Sequence, residues 1–167
     1  MELHLFEQVA DALHGLLPDD LGAWHQRNHR YGLKLWFGDA AKPEREHYEA
    51  QVVGPAHVDG ASVLALEVGF HAEHPNPDAN AATLARLTGA AATRRWRKAL
   101  GADPVAGSFL GRGADDWLRL SETWPDPDLS DPDLALELAA RLTDYAVSLE
   151  PLRRPAGGRA RAGSAAR

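Results

Sequence analysis

Between Val63 and Glu73 the chain alternates almost without error. Leu64, Leu66, Val68, Phe70 and Ala72 interleave with Ala65, Glu67, Gly69, His71 and Glu73. A period of two assigns the first set to one face of a β-sheet and the second to the other. The segment is therefore a strand with one core-building face. Its opposite face carries two carboxylates and an imidazole around a glycine, and that is the first place to look for chemistry.

Neighbouring segments fit around this strand. Tyr31, Leu33, Leu35 and Phe37 alternate with Gly32, Lys34 and Trp36, and His47 to Val53 alternates again with Tyr48, Ala50 and Val52 on its apolar side. A loop at Gly38 to Glu44 and a turn at Gly54 to Gly60 separate the three strands, so an antiparallel meander is the simplest connection. Before it, Leu3, Phe6, Val9, Ala10, Leu13, Leu16 and Leu17 form a helical stripe that Pro18 closes. After it, Asn76-Pro77 opens a second helix and Leu100-Gly101 ends it, with Leu84, Leu87, Ala91, Ala92, Trp96, Ala99 and Leu100 as its apolar stripe. The cations of Arg94-Arg95-Trp96-Arg97-Lys98 suit a helix C-terminus. Strands are expected around Val105 to Leu110 and Trp117 to Trp124, joined by the turn Gly111-Arg112-Gly113. Ser130-Asp131-Pro132-Asp133 has capping spacing for a third helix, which Pro151 stops after Glu150. The order α-β-β-β-α-β-β-α is that of an α+β fold, a mainly antiparallel sheet packed by helices.

Residues 1–150 suit one such domain. In residues 151–167 Gly, Ala, Ser and Arg replace nearly every large apolar residue, which predicts a disordered basic tail. That tail holds five arginines and no acid, so the formal charge of −6 divides into +5 for the tail and −11 for the rest. An acidic body argues against nucleic acid as the partner, because binding there rests on neutralising phosphates. The absence of cysteine excludes disulfides, zinc fingers and thiol catalysis. The N-terminus lacks the basic start of a signal peptide, and no apolar run reaches the roughly 20 residues a membrane span needs, so a cytoplasmic protein is expected.

The polar face of the meander gathers Lys34, His47, Glu49, Gln51, Glu67, His71 and Glu73. Glu49, Glu67, His71 and Glu73, with Lys34, are the candidates for acid–base chemistry. His47, Glu49, Glu67 and His71 are the candidate nitrogen and oxygen ligands of a divalent metal. The simpler expectation is a solvated face on which Glu67→Gln and His71→Ala are tolerated. Gly69 either admits a ligand or marks a bulge or tight packing. In the third helix a second stripe of Leu136, Ala140, Thr143 and Val147 lies away from Leu138 and Leu142. It predicts a second packing partner, either the first helix or a loop of the same chain, or a second copy in a homodimer.

The element order, acidic body and two-sided last helix together resemble the bacterial secretion-chaperone fold over residues 2–150. That resemblance implies a non-enzymatic homodimer without a cofactor, holding a segment of another protein against its sheet or helices. Helix, three-strand meander, helix and further strand are also similar to the core of restriction-type nucleases. Glu49 and Glu67 would then stand at the acid positions, while Gly69 stands where those enzymes carry a lysine and only Lys34 can replace it. This alternative implies a metal-dependent or degenerate hydrolase using Glu49, Glu67 and His71 with a divalent ion. His71 and Glu73 match the His-x-Glu of zinc deaminases, but the cysteine half of that site has no counterpart.

Overall fold

Residues 4–38, 45–111 and 113–154 are described by the computed structural model. The elements are α1 (His4–Leu16), β1 (Trp24–His29), β2 (Gly32–Phe37), β3 (Glu46–Val53), β4 (Ala65–Ala72), α2 (Pro77–Thr88), α3 (Ala90–Leu100), β5 (Val105–Ser108), β6 (Leu118–Pro125) and α4 (Leu134–Arg153). All strand pairs are antiparallel in one sheet of order β1-β2-β3-β4-β6-β5, and the chain is an α+β protein.

The helices share one face of that sheet. Leu33, Leu35, Tyr48, Leu66, Val68, Phe70 and Leu120 project from the strands into a single core with Phe6, Val9 and Leu13 of α1 and Leu138, Leu142 and Leu149 of α4. These are the apolar positions of the alternating pattern, so the register of β4 and its core face are as its sequence dictates. α1 lies against α4, which in turn crosses β3 and β4.

The structure adds an edge strand that the sequence pattern does not reveal. β1 reads Trp-His-Gln-Arg-Asn-His, with no apolar alternation, and is held by the full register from Trp24 opposite Phe37 to His29 opposite Gly32. Its two-residue turn, Arg30-Tyr31, has no positive φ and so none of the glycine or asparagine that usually announces a tight hairpin. The helix expected from residue 77 to 100 is broken at Gly89, whose φ of −57° and ψ of 150° end α2 and start α3. The Trp96 indole donates to the Leu87 carbonyl left free at that break, 2.8 Å away. With the wheel reset, Leu87, Trp96 and Leu100 stay buried while Ala91 and Ala99 face outward.

α4 also departs from expectation at both ends. Asp131 spends its carboxylate on the Asp133 N–H, at 2.9 Å, so no capping box forms and the helix starts at Leu134. At the other end Pro151 lies inside the helix, which continues to Arg153. Glu150 accepts from Tyr48 Oη at 2.8 Å, and Arg153 bridges Glu150 and Glu46 at 2.8 and 3.1 Å, so a hydrogen bond and an ion pair tie this last turn to β3. The ordered chain thus extends past residue 150, where the basic tail was expected to begin. Residues 155–167, and with them the rest of that tail, lie outside the described residues, as do Arg112 and the loop at 39–44.

Candidate functional site

Every residue of β4 is buried, on both faces. The expected solvated face is therefore corrected: His47, Glu49, Gln51, Glu67, His71 and Glu73 are all buried. Segments distant in sequence supply the cover. Phe109 packs edge-on to His71 with ring centroids 5.1 Å apart, Trp117 packs on Phe109, and Val53, Val58 and Ala65 form a small apolar cluster with Leu110 beside them.

Strand register brings these side chains together. His47 pairs with His71, Glu49 with Gly69 and with Lys34, and Gln51 with Glu67. Two glycines make room on this face. A Cβ at Gly69 would lie 2.4 Å from Ser121 Cβ, and one at Gly32 would lie 2.9 Å from His29 Nε2, so each position holds the space a neighbour fills. Gly69 marks close packing.

His47, Glu49, His71 and Glu73 each offer one ligand atom, and these four atoms lie within 4.8 Å of one another. Glu49 Oε2 is 3.0 Å from His71 Nδ1 and 3.2 Å from His47 Nε2. Glu73 Oε1 is 3.4 Å from His47 Nε2 and 3.9 Å from His71 Nδ1. Lys34 Nζ stands beside the cluster, donating to both oxygens of Glu73. The structure thus brings together His47, Glu49 and His71 of the four expected candidates, and the fourth side chain of this group is Glu73, with Glu67 outside it.

Glu67 lies one layer out. Its Oε1 is 3.2 Å from His71 Nε2 and accepts from Ser121 Oγ at 2.6 Å, while its Oε2 accepts from Gln51 at 2.7 Å. Arg119 approaches it at 3.8 Å. On the other side His29, from the edge strand, lies 2.7 Å from Glu49 Oε1. His29, Arg119 and Ser121 are the members sequence reasoning missed. The two on β6 become neighbours only through the β4–β6 pairing, and β1 carries no strand signal at all.

Burial opposes charge on all these groups, and the network overcomes it. Desolvation raises Glu49, but hydrogen bonds from His29, His47 and His71 hold its carboxyl well below the usual range. Glu73 is depressed against burial by His47, His71 and the Lys34 charge. Glu67 is lowered against burial by His71, Ser121 and Gln51. His71, although buried, is held well above the ordinary imidazole value by Glu67, Glu49 and Glu73. Among the described residues no buried polar side-chain atom lacks a hydrogen-bond partner.

No family model matches the chain, and neither does any curated protein or solved structure. Among the described residues no helix is long and apolar enough to cross a membrane.

Proposed function

We propose that this chain is a metal-binding module that holds one divalent transition-metal ion, of the zinc class, between His47, Glu49, His71 and Glu73. The convergence of four ligand atoms from β3, β4 and the residue that follows β4 carries this reading. A tetrahedral ion with bonds of about 2.0 to 2.2 Å keeps its ligand atoms about 3.3 to 3.6 Å apart. The four imidazole–carboxylate separations, 3.0 to 3.9 Å, straddle that range, and the other two pairs lie within 4.8 Å, so the ion would draw the ligands slightly together. Two imidazoles with two carboxylates suit zinc, iron(II) or manganese(II). His71 directs Nδ1 at the site and Nε2 at Glu67, the carboxylate–histidine relay that orients metal-bound imidazoles. Four protein ligands in a buried shell make a closed site, the arrangement of a structural or carrier metal. The reading therefore favours a non-enzymatic role over the hydrolase alternative, for which a substrate would have to reach buried groups.

The test is a melt of chelator-treated protein with and without an excess of free zinc. Zinc at a hundredfold excess over its Kd stabilises by about 2.7 kcal/mol, and the melting temperature should rise by about 5 to 10 °C. Glu73→Gln should abolish the rise, and Glu67→Gln, which spares the ligands, should weaken binding by about 10- to 100-fold. If zinc, manganese(II), cobalt(II) and nickel(II) all leave the melt unmoved, the cluster is a buried ion network only.

Self-association through α4 is a second proposal, and a different observation favours it. Leu136 and Val147 are 53% and 44% exposed on its outer side, whereas Thr143 turns inward to donate to the Ala139 carbonyl and is buried. α1 covers the other side and leaves this stripe open, so Leu136, Ala140 and Val147 form the patch a second copy would cover. A wild type that light scattering finds dimeric should become monomeric on Leu136→Asp, since a two-fold contact places the new charge on both sides. A monomeric wild type ends the proposal.

A further inference from the structure

Lys34 sits mid-strand in β2, opposite Glu49 in the register. Its Nζ donates to Glu73 Oε1 and Oε2 at 3.0 and 2.9 Å and stands 3.5 Å from Glu49 Oε2, the oxygen that faces both imidazoles. One ammonium thus touches the two carboxylates that supply the negative charge of the ligand set.

We propose that Lys34 is a built-in competitor for the metal: its ammonium balances Glu49 and Glu73 in the metal-free protein and is expelled when the ion enters. The inference rests on the metal reading of the site. A divalent ion bonded to Glu49 Oε2 and Glu73 Oε1 leaves no favourable position for a second cation against the same oxygens, because like charges at that separation repel strongly in a buried setting. Lysine can leave. Its side chain is 16% exposed, against 10% for Glu73 and 2% or less for Glu49, His47 and His71, and its flexible stem lets the head group swing toward water. Arg119 lacks that freedom, being held by Ser108, Ser121 and Glu67. The entering dication takes the place of the ammonium and of the proton that His71 Nδ1 releases to coordinate, so the carboxylates stay compensated in both states. It sets the affinity below that of the bare ligand set, and it provides a route for release, as befits a site that passes its ion on.

Two opposite effects follow for Lys34→Met, which keeps the apolar stem and removes the charge. The metal-free variant should melt lower than wild type, and it should bind zinc at least tenfold more tightly in calorimetric titration, while Lys34→Arg should bind no tighter. A direct readout comes from amine acetylation followed by mass spectrometry, because the chain has only three lysines, at 34, 42 and 98. Lys34 should be acetylated several-fold faster with saturating zinc than with chelator, while exposed Lys98 on α3 serves as the unchanging control. If Lys34→Met folds only with zinc, recovery on refolding with zinc but not with chelator supports the proposal. Failure to refold in both overturns it. Equal or weaker zinc binding by a folded Lys34→Met, or labelling of Lys34 indifferent to zinc, also overturns it. If wild type binds zinc and Glu73→Gln does not, such a result removes the competitor and leaves the metal site standing. Absence of binding in wild type and Lys34→Met alike removes both.

Discussion

His71→Ala is expected to lower the unfolding free energy of the metal-free protein by about 3 to 5 kcal/mol, the usual cost of removing one partner from a buried ion pair. The imidazole touches Glu49 through one nitrogen and Glu67 through the other. Without it, both carboxylates face a void where a cation stood. The raised pKa of His71 fixes the sign of the pH dependence. Its contribution is fully present below the unfolded imidazole value of about 6.5 and fades as pH climbs through the higher folded value. The gap between wild type and variant in denaturant titrations with chelator should therefore narrow on the alkaline side. A loss under about 1 kcal/mol would mean that water reaches this face.

Phe70→Ala should cost about as much, 3 to 5 kcal/mol, by a different mechanism. Phe70 is fully buried on the helix side and packs against Tyr48 with ring centroids 5.6 Å apart. Its loss leaves a cavity, not an unpaired charge, so this deficit should not follow the titration of His71. Melts of the two variants across pH would separate the mechanisms. A Phe70→Ala protein within about 1 kcal/mol of wild type would place the core elsewhere.

Adjacent positions of one strand thus tell how far the sequence could be read. Alternation in β4 fixed which side chains share a face, because a strand has only two, and Glu49, His71 and Lys34 were recognised as neighbours on that ground. It could not show that the polar face is covered, because the cover, Phe109 and Trp117, comes from beyond two further helices. Nor could it choose between Glu67 and Glu73 as the fourth member of the cluster around His47, Glu49 and His71. Both lie on the same face of the same segment, and only the pairing of His47 with His71, together with the grip of Gln51 and Ser121 on Glu67, separates their roles. β1 escaped notice because an edge strand of polar residues carries no periodic signal. Pro151 misled for the opposite reason. A strong local stop was overridden by the hydrogen bond from Tyr48 to Glu150 and the ion pair of Arg153 with Glu46, both on β3.

The placement of α4 has a consequence for how the chain reaches this state. The last helix covers β3, β4 and α1, so the first and final elements of the sequence meet. A ribosome delivers the whole four-strand meander before any of Leu138, Leu142 and Leu149 exists to shield Leu66, Val68 and Phe70. Until then α1 can cover only part of the meander's apolar side. Closure then depends on contacts spanning almost the full length, which makes folding slow and late and exposes the unfinished chain to aggregation.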